Sequence, residues 1–132
     1  MDQTILQLYR DLLKKNFPHS GEIKDASIFI EAVNQPMIDC GQTGSYMQLY
    51  LQLEDQRITE MKYLCVCEPE ANVAVELLCE LVKGKTLAEA QGLTEEPFYQ
   101  ITGSRDEKFS RKVQGLLALL REGIAPHAAK QN

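Results

Sequence analysis

The stretch from Met47 to Cys67, MQLYLQLEDQRITEMKYLCVC, decides the fold class of this chain. Apolar and polar residues alternate along its first part, which is typical of a half-buried β-strand. The polar run Glu54–Arg57 predicts a turn, and residues 58–67 predict a second strand that returns beside the first. The whole stretch is therefore predicted to form a β-hairpin.

The segments on either side of the hairpin predict one more strand and several helices. An apolar stripe at helical spacing predicts a first helix that ends near Lys15, and residues 26–33 predict a short strand. After the hairpin, helical spacing runs from Glu70 to Lys83. A capping box at Thr86–Glu89 then opens a short further helix.

The order of helix, three antiparallel strands and then helices predicts an α+β domain. Residues 92–103 are predicted to be a loop, and a second capping box at Ser104–Glu107 is predicted to open the last helix. We therefore predict a single domain over residues 1–124, with helices packed on one face of a small three-stranded antiparallel sheet. Residues 125–132 are predicted to form a flexible tail.

Length, charge and composition exclude several classes of protein. The 132 residues, 44% of them apolar, suit one domain with one core. A net charge of -5 argues against a nucleic-acid partner, which needs a basic patch, and no apolar run approaches the roughly 20 residues that span a membrane. The N-terminus lacks the features of a secretory signal, so we expect a cytoplasmic protein. No P-loop, dinucleotide-binding or serine-nucleophile motif is present, so we do not expect an enzyme.

The cysteines carry the chemistry that remains, and we expect them to be reduced thiols. The start of one hairpin strand lies beside the end of the other, so Cys40, before the hairpin, and Cys67, at its end, can meet at one edge of the sheet. Cys65 lies on the same face as Cys67, about 6–7 Å further back along the strand. Cys79 falls in the middle of a predicted helix, which favours a structural role.

Two interpretations of Cys40, Cys65 and Cys67 stay open. They are either core thiols, since free cysteine is often buried, or thiolate ligands of the kind that suit iron–sulfur clusters and zinc. A cysteine–histidine nucleophile has little support, because His19 lies in a predicted turn and His127 in the predicted tail.

The segment Glu80–Gln91, ELVKGKTLAEAQ, closely resembles the helix end and the following segment of the iron–sulfur cluster scaffold family, the IscU and NifU N-terminal type. The predicted opening helix and the hairpin are similar to that family as well, and the loop with Asn34–Pro36 and Cys40-Gly41 resembles the loop of its first cysteine. The resemblance covers most of the chain and implies the α+β fold of these scaffolds.

The chain departs from the family pattern at the three cysteine positions. The first falls on Thr43 without a gap in the alignment, or on Cys40 with a longer loop, and the aspartate of the family motif is absent in both alignments. The second falls on Glu68, so Cys67 is one residue early; we interpret Glu68 as a carboxylate at a helix start in preference to a ligand. The third falls on Thr102–Ser104, where there is no cysteine. The L-P-P-V-K motif of the IscU branch is also absent.

The resemblance implies a cluster-assembly scaffold. Such a protein would bind iron or an iron–sulfur cluster through Cys40 and Cys67, with Cys65 as a further metal ligand. A cysteine desulfurase and apo-acceptor proteins are the implied partners. The alternatives are a degenerate scaffold that binds no cluster and serves as a protein-interaction module in cluster biogenesis, and a small zinc protein that handles persulfide sulfur.

Overall fold

A computed structural model describes residues 2–33 and 46–130. Its sheet contains β1 (Ile28–Val33), β2 (Tyr46–Glu54) and β3 (Arg57–Val66), which pair antiparallel in the order β1-β2-β3. The predicted hairpin is β2 and β3, and the predicted short strand is β1. The prediction of a three-stranded antiparallel sheet is confirmed.

Five helices accompany the sheet in the described part of the chain. They are α1 (Gln3–Lys14), α2 (Pro69–Val82), α3 (Leu87–Gln91), α4 (Glu96–Thr102) and α5 (Glu107–Lys130). The helix α3 begins with the predicted capping box, in which Thr86 Oγ1 accepts from the amide of Glu89 and the Glu89 side chain accepts from the amide of Thr86. Helix α2 contacts α1, α5 and β3, and α5 also contacts β1, which places the helices on one face of the sheet.

The core lies between that face of the sheet and the helices. Alternate side chains of each strand point into it, as the period of two requires. The sheet contributes Ile28, Ile30, Met47, Leu49, Leu51, Ile58, Met61 and Tyr63, all of them buried. Helices α2 and α5 supply the opposite wall with Ala74, Leu78, Phe109, Val113, Leu116 and Leu120.

Two local predictions in the C-terminal half are wrong. The predicted loop 92–103 contains α4, which starts with Pro97 in its first turn and ends at Gly103, where φ is 70°. The last helix is capped by Asp106, whose Oδ2 accepts from the amide of Phe109 at 3.1 Å, and not by Ser104. Helix α4 has only 7 residues, which is too short for a helical period to show in the sequence.

The segment from Ala125 was predicted to be a flexible tail, and the structure continues α5 through it as far as Lys130. Ile124 is fully buried and Ala128 packs against the core, so contacts at the end of α5 support the additional turns. Pro126 lies inside this last part of the helix. Of the small residues in this segment, Ala128 packs against the core, whereas Ala125 is exposed.

Candidate functional site

One end of the sheet brings together the chain segments that the cysteine prediction depends on. Val33 at the end of β1 pairs with Tyr46 at the start of β2, and Tyr46 pairs in turn with Val66 at the end of β3. We call this row of three residues the site end of the sheet. Cys67 follows directly after it. Cys40 lies outside the described residues, so the predicted meeting of Cys40 and Cys67 stays a prediction.

Cys65 and Cys67 are closer to each other than residues two apart in a regular strand. Cys65 lies opposite Met47 on β2, whereas Cys67 lies just beyond the end of β3 at Val66. The chain turns there towards α2, the two Cα atoms are 5.7 Å apart, and the sulfur atoms are joined as a disulfide. The expectation of reduced thiols is wrong for this pair in the structure. β3 ends at Val66, so Cys67 is not held at the spacing of a regular strand and its sulfur contacts that of Cys65.

Glu68, at the family's second cysteine position, caps the start of α2 with its backbone and not with its side chain. Its carboxylate forms ion pairs with two lysines of α5, Lys108 and Lys112, and Oε1 lies 3.7 Å from Lys112 Nζ. The hydrogen bond to Glu68 raises the pKa of Lys108, and the nearby charge of Glu70 raises it further. The interpretation of Glu68 as a carboxylate at a helix start is therefore confirmed, and its charge is balanced by lysines.

An open cleft of about 490 Å³ lies between the start of α2 and the start of α5. Glu68, Glu70, Asp106, Asp2 and Lys108 line it. Glu70 is only 2% exposed, and its Oε1 has no hydrogen-bond partner in the described part of the chain. Within residues 2–33 and 46–130, no group of three or more histidine, cysteine or acidic side chains is arranged to hold a metal ion.

The family's third cysteine position is occupied by groups that satisfy one another. Thr102 and Ser104 are both buried, at 5% and 7% exposure. Thr102 Oγ1 donates to the carbonyl oxygen of Phe98 and accepts from the amide of Ser104, and Ser104 Oγ accepts from the amide of Asp106. These residues build the connection from α4 to α5 and offer no thiolate.

Cys79 is a structural residue, as predicted. It is 1% exposed in the core, and burial raises the pKa of its thiol well above the usual value, with the charges of Glu76 and Glu80 adding to the effect. A thiol that resists ionisation in this way is a poor nucleophile and a poor metal ligand.

Sequence patterns did not reveal a buried polar network behind the sheet. The Tyr63 hydroxyl donates to Glu76 Oε2 at 2.7 Å, and the same carboxylate accepts from the backbone amide of His19. The His19 ring contacts Glu80 Oε1 at 2.6 Å. Glu76 is 3% exposed. A charged residue amid the apolar residues of α2 was the one signal in the sequence, since a buried carboxylate needs partners.

The fold and the site end together define a class: a small α+β protein with cysteines where the hairpin meets the following helix. The chain matches the family model described as the NifU-like N terminal domain over residues 4–132. It therefore belongs to the NifU-like N-terminal domain family, which comprises iron–sulfur cluster assembly scaffolds, and the predicted family is confirmed.

Solved structures share the fold at low sequence identity. A putative iron–sulfur cluster assembly scaffold protein for the SUF system from Fervidobacterium islandicum has 17% identity and a TM-score of 0.61, with 96% of this chain and 94% of that one covered. The N-terminal part of a nitrogen-fixing NifU-like protein from Brucella abortus has 13% identity and a TM-score of 0.54, with 98% and 80% covered. A hypothetical protein has 15% identity and a TM-score of 0.63, with 90% and 98% covered. No curated protein sequence matches the chain.

None of the helices in the described part of the chain combines the length and the apolar character that a membrane crossing requires.

Proposed function

We propose that this protein is a scaffold for iron–sulfur cluster assembly, in which thiolates at the site end receive iron or a nascent cluster and pass it to apo-acceptor proteins. The ligands in this proposal are Cys40 and Cys67, with Cys65 as a third sulfur. A cysteine desulfurase is the proposed sulfur donor. A cytoplasmic location remains part of the proposal.

One observation carries the proposal. Val33 and Tyr46, which flank the segment that contains Cys40, pair with each other, and Tyr46 pairs with Val66, the residue before Cys67. The two residues that bound this segment therefore lie beside Val66, directly before Cys67. Thiolates are the ligands that iron–sulfur clusters prefer.

Glu68 is excluded from the proposed ligand set. Its carboxylate is already paired with Lys108 and Lys112, so a metal ion would have to displace both lysines. Thr102 and Ser104 lack a suitable donor atom. A cluster here would complete its four ligands from Cys40, Cys65, Cys67 and a partner protein or a small thiol.

The test is reconstitution of the reduced protein without oxygen, using ferrous iron and sulfide, followed by visible absorption and by measurement of bound iron and sulfide. We expect a coloured product that is lost in Cys40→Ser and Cys67→Ser. Cys79→Ala is the matched control and keeps the colour, because Cys79 is buried away from the site end. A colourless, iron-free product would sink the proposal, as would spectra that are the same in all three variants.

A second function is favoured by the loss of the third cysteine at Thr102–Ser104. A protein that keeps the fold without a cluster would bind a desulfurase or an acceptor through the surface around the site end. Binding measured with purified desulfurase discriminates the two functions. The interaction module is supported if the wild type and the double variant Cys40→Ser with Cys67→Ser bind the desulfurase with equal affinity and the reconstitution product is colourless. Absence of any binding to the desulfurase excludes the interaction module.

A further inference from the structure

Cys65 and Cys67 differ from a pair of metal ligands in one respect: their sulfur atoms are in direct covalent contact. Both residues are half-buried against the edge of the core, and Val66 between them is 45% exposed. Neither cysteine is fully enclosed by the core. Cys79, fully enclosed in the core, offers a comparison within the same chain.

The two cysteines hold different positions in the fold. Cys67 lies just beyond the end of β3, one residue before Glu68, the N-cap of α2. Cys65 lies inside β3, opposite Met47 of β2. Cys67 is therefore the sulfur at the site end of the sheet, and we assign it the first exchange with an incoming molecule.

We propose that Cys65 and Cys67 act as a dithiol that reduces a persulfide to sulfide and becomes the disulfide seen in the structure. The inference rests on the proposed function, because a cluster contains sulfide whereas a persulfide carries sulfur in a more oxidised form. The pair would supply both electrons from its own thiolates. No separate reductant is needed for one round.

The reaction takes two exchange steps. In the first, the Cys67 thiolate attacks the outer sulfur of R–S–SH, a bond forms between Cys67 Sγ and that sulfur, and R–S⁻ leaves with the electron pair. In the second, the Cys65 thiolate attacks Cys67 Sγ, the Cys65–Cys67 disulfide forms, and HS⁻ leaves with its proton and the electron pair. Two thiolates lose two electrons, and the sulfur–sulfur bond of the persulfide gains them.

The test uses the full-length protein, reduced and freed of reductant without oxygen, and glutathione persulfide as the probe, with no iron present. Released sulfide and the Cys65–Cys67 disulfide are measured over time, the latter by mass spectrometry after thiol alkylation. We expect one sulfide for each disulfide. The release should be about tenfold faster or more than in Cys65→Ser or Cys67→Ser, because the second thiolate is held beside the first.

Cys79→Ala is the matched control and should release sulfide at the wild-type rate, because Cys79 is enclosed in the core. Far-ultraviolet circular dichroism of each variant checks that it is folded. A wild-type rate no higher than that of the two single-serine variants overturns the inference, as does sulfide release without the Cys65–Cys67 disulfide.

The iron-free assay keeps this inference separate from the proposed function. If reconstitution depends on Cys40 but the persulfide assay fails, the proposed scaffold function stands and the dithiol reaction is excluded. If the persulfide assay succeeds but reconstitution gives an iron-free product, the dithiol reaction stands and the scaffold function is excluded.

Discussion

At the scale of single residues, the most consequential side chain outside the site end is Tyr63. It is 2% exposed, and its hydroxyl lies 2.7 Å from both Glu76 Oε2 and Asn72 Oδ1, with its single proton donated to the buried carboxylate of Glu76. Burial raises the pKa of Tyr63 far above its usual value of 10.0, and the hydrogen bond to Glu76 raises it further. This contact links β3 to α2, two residues before Cys65 in the strand.

Tyr63→Phe should lower the free energy of unfolding at pH 7 by about 1–3 kcal/mol, because Glu76 stays buried with one partner fewer. In the wild type the phenol keeps its proton in the fold while the unfolded chain loses it above about pH 10. Stability is therefore unchanged by this group below pH 10 and falls above it, by up to about 1.4 kcal/mol per pH unit. Urea unfolding at pH 7, 10 and 11 checks both effects.

The variant Tyr63→Phe lacks the titrating phenol, so the stability difference between it and the wild type should shrink as pH rises above 10. Other tyrosines and the lysines titrate in both proteins and cancel in the comparison. A difference that stays constant from pH 7 to pH 11 would show that Tyr63 ionises as easily in the fold as out of it.

Gly123 lies at a close approach of α5 to β1 of the sheet. A Cβ atom there would lie 2.4 Å from Ile30 Cδ1 and 2.9 Å from Ile30 Cγ2, and Ile30 is itself buried. Gly123→Ala should therefore destabilise the protein by about 1–2 kcal/mol, since overpacking outweighs the gain in helix propensity. Gly92→Ala is the control: its nearest new contact is 3.6 Å, and it should change stability by less than about 0.5 kcal/mol. Equal urea midpoints for the two variants would contradict the prediction.

At the scale of elements, hydropathy period and turn chemistry predicted most of the fold. The alternation in β2, the helical spacing of α2 and the capping box of α3 all match the structure to within a residue or two. The failures have a common cause, since they depend on contacts between distant residues. Helix α4 and the last turns of α5 have weak local signals, and packing of Phe98 and Ile124 into the core stabilises them.

The turn of the hairpin is locally unfavourable. Asp55 and Gln56 both have positive φ, at 51° and 66°, a conformation that glycine adopts at no steric cost. Gln56→Gly should raise the free energy of unfolding by about 0.5–1 kcal/mol, because the relief of the left-handed conformation exceeds the added freedom of the unfolded chain. Thermal and urea unfolding measure it. Gln56→Ala keeps the side-chain clash and should not stabilise; an equal gain from alanine would show that the backbone conformation is not the cause.

At the scale of the whole molecule, the sequence predicted the family and the three-stranded antiparallel sheet, but not the contact between Cys65 and Cys67. The strand register places Cys67 at the site end, as the hairpin pattern predicts. The contact between Cys65 and Cys67 depends on where β3 stops, and a boundary one residue away would leave the two sulfurs apart. The pairing of Glu68 with lysines of α5 joins residues 40 and 44 positions apart, which periodicity cannot reveal.

Both proposed activities require that the chain stays folded when the Cys65–Cys67 disulfide is reduced. The closed loop contains three residues, for which the chain-entropy relation gives a stabilisation of about 1–2 kcal/mol. The core between the sheet and α2 and α5 does not depend on this link. We therefore expect reduction to lower the urea midpoint slightly, with an unchanged circular dichroism spectrum in the absence of urea.

The double variant Cys65→Ser with Cys67→Ser cannot form the link, so its urea midpoint should not respond to reductant and should lie near that of the reduced wild type. Cys79→Ala keeps the pair and should respond as the wild type does, from a lower starting stability. Unfolding of the wild type on reduction would mean that the fold depends on the Cys65–Cys67 link, and a response to reductant in the double variant would mean that another sulfur stabilises the fold. In either case, the thiol–disulfide exchange of Cys65 and Cys67 could not be measured independently of unfolding.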